Sequence, residues 1–160
     1  MNSKYLTKAG IIAALYVILI ALEIPFGMMA FGPIQFRIAE ALVLLPLVES
    51  ASIPGVFIGC LLGNILLSFS GTGLIDIIGG SLVTLISAYL TSKVSNINIK
   101  IPKNILGMLP PVILNAFIVS IWISALYNVP YVATVIGIGL GELLAVGIFG
   151  NIVLYAYKRI

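Results

Sequence analysis

From Asn104 to Gly141 the chain carries no Lys, Arg, Asp or Glu. No surface of a water-soluble domain holds so long a run without charge. A bilayer-spanning helix takes roughly 20 apolar residues, so the run predicts two such helices, divided at Tyr127, Asn128, Val129 and Pro130. The rest of the chain reads the same way. Of its residues 61% are hydrophobic and 8% charged, whereas a soluble domain carries about 25% charged residues. Lipid must therefore coat most of the outside. Charges and turn residues predict six transmembrane helices, over 5–22, 36–48, 53–68, 74–92, 104–126 and 131–157, forming one all-α integral membrane bundle across 1–160. Pro54 suits the first turn of the third helix. Lys4 and Lys8 ahead of an apolar stretch resemble a signal peptide. The sequence beyond is equally apolar, so the segment is read as the first membrane helix.

Six helices leave both termini on one side. Under this division Lys4, Lys8, Lys93, Lys100, Lys103, Lys158 and Arg159 share a face, and only Arg37 departs. The positive-inside rule then predicts cytoplasmic N- and C-termini, with Glu23, Glu40 and Asp76 towards the outer half and Glu49 at an inner turn. The net charge of +3 thus reflects topology rather than nucleic-acid binding. There is no histidine and one cysteine, so neither a metal centre nor an internal disulfide is expected, and Cys60 reads as a small packing residue. No Gly-rich phosphate loop ends in Lys-Ser or Lys-Thr, and no nucleophile–base set is present. The expectation is a protein that is not an enzyme, holds no cofactor and cannot itself harvest ATP.

Small residues predict close helix contacts. Gly55, Gly59 and Gly63 recur every fourth residue on helix three, and Ala133, Gly137, Gly141 and Ala145 on helix six. Ala9 and Ala13 on helix one form a similar pair, facing either the bundle or another subunit. Ionisable groups inside a membrane are expensive and point to function. Arg37 and Glu40 lie three apart on one face of helix two, as an internal ion pair or as ligand holders. Glu142 lies well inside helix six, with Tyr131 on nearly the same face. Asn115 and Trp122, seven apart, share a face of helix five, though Trp122 also fits an interfacial anchor. Asp76 opens helix four, where capping alone would account for it. Together these residues predict a pocket open to the outside, floored by Glu142 and Asn115 and edged by Arg37, Glu40 and Asp76. Asn64 is a polar companion, and Trp122, Tyr127 and Tyr131 supply aromatic faces. Carboxylates and amides suit a ligand rich in N–H donors, and aromatics suit a flat one, so a planar polar heterocycle meets both demands.

Four stretches then carry a resemblance. Gln35-Phe36-Arg37-Ile38-Ala39-Glu40-Ala41-Leu42, Pro54-Gly55 with Gly59-Cys60 and Gly63-Asn64, Asp76-Ile77-Ile78-Gly79-Gly80-Ser81, and Gly139-Leu140-Gly141-Glu142 resemble, in order and over nearly the whole chain, the queuosine-precursor transporter (QueT) family. The resemblance implies the substrate-binding (S) component of an energy-coupling-factor (ECF) transporter in a prokaryotic cell membrane. Such a component binds a 7-deazaguanine ligand from outside. It docks on a membrane coupling subunit (EcfT) driven by two EcfA-type ATPases, and topples within the bilayer to deliver its ligand. The Ala-x-x-x-Ala docking motif on helix one of such components would be Ala9 and Ala13. A guanine-like edge offers adjacent N–H donors that one carboxylate can accept together. Glu142 is the first choice, then Glu40 or Asp76, with Asn115 and Asn64 for the remaining ring positions. The alternatives are an S component for another vitamin such as folate, a stand-alone carrier or channel, and an assembly protein without ligand.

Overall fold

A computed structural model describes residues 2–27, 32–68 and 73–159; the regular elements among these residues are all helices, with no strand. Six helices follow in order. The first, α1 (Ser3–Phe26), ends in a 3-10 turn closed by Gly27 at φ +58°. Residues 32–37, which are not helical, lead into α2 (Ile38–Leu47), and then come α3 (Ser52–Leu67), α4 (Gly73–Val94), α5 (Lys103–Tyr127) and α6 (Tyr131–Tyr157). Only α1, α4, α5 and α6 are long and apolar enough to cross a bilayer; α2 and α3 are shorter. The six predicted helices are thus present, but two of them fall short of a full span.

The short α2 explains how the others fit together. Its sequence is apolar except for Glu40, and Ala39 through Pro46 are all buried. A helix apolar all round belongs in the middle, and each of the other five helices packs against it. All ten of its residues are in 3-10 geometry, where runs beyond three or four residues are uncommon. At about 2.0 Å per residue instead of 1.5 Å, ten residues reach about 20 Å rather than about 15 Å. The stretched winding lets a short segment run deep into the bundle.

Gly55, Gly59 and Gly63 of α3 meet α1, not another molecule. A Cβ on Gly55 would stand 2.9 Å from the Ala9 carbonyl oxygen, and one on Gly59 would stand 2.5 Å from Tyr16 Cβ and 3.0 Å from the Ala13 carbonyl oxygen. Ile20 closes over Gly63 in the same way. The glycines of α6 behave differently from the expectation of helix packing. Gly137 and Gly141 receive the non-helical chain before α2: a Cβ on Gly141 would overlap the Gln35 carbonyl, and one on Gly137 would overlap that of Pro33. Ala133 of the same predicted stripe is exposed, while Ala145 is buried.

Seven of the eight basic residues gather at one end of the bundle. There Lys8 pairs with Glu49 at 2.5 Å, and Tyr157 donates its hydroxyl to the same carboxylate oxygen at 2.6 Å. One side chain so ties the start of α1, the α2–α3 turn and the end of α6. Nearby, Asn104 of α5 donates to Asn151 of α6 at 2.7 Å, and Lys103 donates to the Ser95 carbonyl.

Candidate functional site

The polar side chains collect at the other end and towards the middle. Glu23, from the last α-helical turn of α1, begins the set. Its Oε1 accepts the Ile38 N–H at 2.5 Å and the Ala39 N–H at 3.3 Å, satisfying donors at the start of α2 that the helix leaves open. This places Arg37 immediately before α2. Its Nη2 donates to Asn64 Oδ1 at 2.9 Å and lies 3.9 Å from Cys60 Sγ. Asn64 passes the chain on, its Nδ2 donating to the Asp76 carbonyl at 2.9 Å, with Cys60 Sγ at 3.5 Å.

Asp76 heads a π-helical stretch of α4, Asp76–Gly80. Such stretches break the regular winding and recur at functional sites. Its Oδ1 accepts the Trp122 indole N–H at 3.1 Å. The bare backbone of the next glycines makes this possible: a Cβ on Gly79 would stand 3.3 Å from the indole, and one on Gly80 would stand 3.0 Å from Asn64 Nδ2 and 3.2 Å from Asp76 Oδ1. One turn into α2, Glu40 Oε1 accepts the Tyr16 hydroxyl from α1 and the Thr84 hydroxyl from α4 at 3.4 Å. Thr84 also approaches Cys60 Sγ at 3.3 Å.

A second group joins α5 and α6. Asn115 opens another π-helical stretch, Asn115–Val119, and its Nδ2 donates to Glu142 Oε1 at 2.7 Å and to the Pro111 carbonyl at 3.0 Å. Glu142 follows Gly141, the residue on which the Gln35 carbonyl rests. Its charged neighbours include Glu40, Arg37 and Glu23, and those of Arg37 include Glu40 and Asp76. The two groups therefore form one electrostatic unit.

Four carboxylates are buried in this unit: Glu23 at 5% exposure, Glu40 at 2%, Asp76 at 0% and Glu142 at 4%; the single guanidinium, Arg37, is at 6%. Buried polar atoms are nearly always hydrogen-bonded. Yet Glu23 Oε2, Glu40 Oε2, Asp76 Oδ2 and Arg37 Nε have no partner. No three of the described acids and the cysteine stand as a metal-binding group. A separate cavity of about 490 Å³ at the lysine-rich end is lined by Leu47, Val48, Lys103, Asn104, Asn151 and Lys158 among others, and by none of the acids.

The structure brings together Arg37, Glu40, Asn64, Asp76, Trp122, Asn115 and Glu142, but it revises several pairings. Arg37 and Glu40 make no ion pair, because Arg37 precedes α2 and turns to Asn64 while Glu40 turns to Tyr16 and Thr84. Trp122 and Asn115 address different helices, α4 and α6, with a π-helical stretch altering the register between them. The Trp122 indole N–H is committed to Asp76. Asp76 caps no backbone N–H, since its Oδ1 accepts the Trp122 indole and its Oδ2 has no hydrogen-bond partner. Tyr131 lies on nearly the same face as Glu142, three turns away on regular α-helix, but it is 42% exposed and its hydroxyl bonds the Phe117 carbonyl. Tyr127 is partly buried, packed on apolar side chains including Ile123 and Val83. Ala9 and Ala13 are buried, their carbonyl oxygens set against Gly55 and Gly59 of α3, while Gly10 and Ala14 beside them are exposed. Sequence reasoning missed Tyr16, Glu23, Thr84 and the hydrogen-bonding part of Cys60. Glu23 alone left a signal, as an acid next to a helix-breaking loop.

Four helices suited to crossing a bilayer, closed with two shorter ones around buried ionisable side chains, define a multi-pass membrane protein. The family model described as "QueT transporter" matches residues 6–159. The chain belongs to that family and is a transport protein. A curated relative, "Queuosine precursor transporter QueT" of Lactococcus lactis subsp. cremoris, is 41% identical over 77 residues. The match spans 48% of this chain and 43% of the relative. No solved structure matches the chain.

Proposed function

We propose that the chain is the substrate-binding component of an ECF-type importer and that it binds a queuosine precursor or a related 7-deazaguanine. Family membership and the relative's name support the ligand class. The observation that carries the reading is the set of deeply buried carboxylate oxygens and a guanidinium nitrogen without partners. Such atoms are destabilising when left unpaired; ligand N–H groups satisfy the oxygens, and a ligand acceptor satisfies the nitrogen. Glu142, held by Asn115, accepts adjacent N–H groups of the guanine-like edge. Asn64 and Arg37 Nε serve the ring carbonyl and nitrogen positions, and Trp122 offers the aromatic face. The lysine-rich end faces the cytoplasm by the positive-inside rule, so the acids face outward, where the ligand arrives.

Delivery follows from partners. The chain docks on a membrane coupling subunit driven by two ATPases and reorients as a whole. With Ala9 and Ala13 turned inward, the small residues of α1 open to such a subunit are Gly10 and Ala14. Two measurements test this. Calorimetry on the purified chain is expected to show binding of deazaguanine bases and none of folate; folate binding alone would overturn the ligand assignment. Proteoliposomes are expected to take up ligand only when coupling subunit and ATPases are present with ATP. Uptake by the chain alone would overturn the coupled mechanism.

A further inference from the structure

The lysine-rich end carries a cavity of the opposite chemistry. Where α2 ends, α5 begins and α6 ends, about 490 Å³ of space is lined by Lys103, Asn104, Asn151 and Lys158, with Leu47 and Leu154 as apolar wall. A single water takes about 30 Å³, so the space admits a group of several heavy atoms. None of the chain's five acids lines it. Glu49, the acid at this end, is taken by Lys8 and Tyr157, and the other four are the buried ones. Two ammonium groups thus share one cavity with no carboxylate side chain to offset them. The start of α5 adds to them, with no side-chain cap and no acid in its first turn, so the positive end of its dipole stands open. Donors are also left over. Lys103 gives one N–H to the Ser95 carbonyl and keeps two. Asn104 gives one amide hydrogen to Asn151 Oδ1 at 2.7 Å and keeps the other. Arg159 stacks at 4.3 Å on the ring of Tyr155, which also lines the cavity, and so sets a third cation at its rim.

We propose that this cavity holds the phosphate of an anionic lipid headgroup from the adjoining leaflet. The phosphate oxygens accept from Lys103, Lys158 and Asn104, and the lysines select a headgroup with net negative charge over a zwitterionic one. A free phosphate has the same oxygens, but the surroundings favour the lipid. The cavity lies at the ends of helices suited to crossing a bilayer, α5 and α6, and basic pockets so placed meet the headgroup layer. Its rim includes the apolar Val48 and the ring of Tyr155, 43% and 59% exposed, against which the glycerol and first acyl carbons can lie. By the positive-inside rule that leaflet is the cytoplasmic one. An occupant bound to the ends of three helices also stabilises the folded bundle by mass action. The site shares no residue with the acid cluster, so it stands or falls apart from the deazaguanine reading.

The full chain, purified in a neutral detergent, is titrated with phosphatidylglycerol and with phosphatidylcholine of the same acyl chains, and bound lipid is read by native mass spectrometry. Each lysine near a membrane surface is worth roughly fivefold, so phosphatidylglycerol is expected to bind at least about tenfold tighter. It is also expected to raise the unfolding temperature where phosphatidylcholine does not. Lys103→Gln with Lys158→Gln should bring the two lipids within about twofold of each other. Lys93→Gln with Lys100→Gln removes as much charge from the same end but outside the cavity, and should leave the preference intact. Equal binding of both lipids to the unaltered chain overturns the proposal. An equal loss in the two paired variants also overturns it, because the attraction then belongs to a diffuse basic surface. Inorganic phosphate that displaces phosphatidylglycerol at equal concentration assigns the cavity to a free anion and overturns the lipid source. Lys158 is exposed just past the end of α6, so Lys158→Gln alone, expected to lower the preference roughly fivefold, decides the matter even where the paired variant fails to fold.

Discussion

Two residues show how closely the site is supported. Glu142 meets Asn115 through one oxygen, and a glutamine there would still accept that bond. Glu142→Gln is therefore expected to fold normally and to weaken deazaguanine binding by at least about tenfold, the loss of a charge-assisted pair of hydrogen bonds. Calorimetry beside a thermal-unfolding control reads both effects, and unchanged affinity would take Glu142 out of the site. Tyr16 is fully buried and its hydroxyl goes to Glu40. Tyr16→Phe leaves that carboxylate oxygen with Thr84 alone, at 3.4 Å, and should cost about 1–3 kcal/mol of stability. An unfolding transition in detergent at the same temperature as the parent's would show that the hydroxyl contributes nothing. Glu142 was legible in the sequence because an acid amid apolar residues announces itself. Tyr16 was not, since a tyrosine among isoleucines and leucines reads as packing until its neighbour across the helix interface is known.

At the level of helices, spacing was read correctly more often than partnership. The four-residue repeat on α3 marks a close approach, and Gly59→Ala, which would set a methyl 2.5 Å from Tyr16 Cβ, is expected to destabilise by about 1–3 kcal/mol. Gly10→Ala, where nothing lies within 4 Å, serves as the control and should leave the melting temperature unchanged or raised. The similar repeat on α6 has another occupant, the non-helical chain of Pro33 to Phe36, and no spacing rule tells a helix from a connecting segment there. Gly141→Ala should displace Gln35 and disturb Glu142 beside it, lowering ligand affinity more than stability; binding and unfolding measured on one preparation distinguish the two. The 3-10 winding of α2 was equally hidden. Ile38 to Leu47 has the composition of any buried helix, and its stretching reflects the space to be crossed, which only the assembled bundle defines. The same holds for the π-helical stretches that turn Asp76 and Asn115 towards their partners.

Across the whole molecule, the four buried acids lie away from the lysine-rich end, and that end is fastened by the fifth acid, Glu49. Hydrogen bonds from Lys8 and then Tyr157 pull the Glu49 carboxyl from its ordinary 4.5 down to about 2. A carboxylate held below its unfolded value contributes stability that is complete above the unfolded value and is lost as pH falls through the folded one. The stability difference between the parent chain and Glu49→Gln is thus expected to hold above about 4.5 and to shrink between there and about 2. Melting curves across that window check it, and a difference independent of pH would deny the carboxylate its part. The triple tie at Glu49 also constrains how cargo can leave. It knots the first helix, the central pair and the last helix on the side away from the buried acids. An exit prised open through that side would have to undo the knot at every cycle, whereas a body that changes its attitude in the lipid keeps it fastened throughout and spends none of its own hydrogen bonds on the journey.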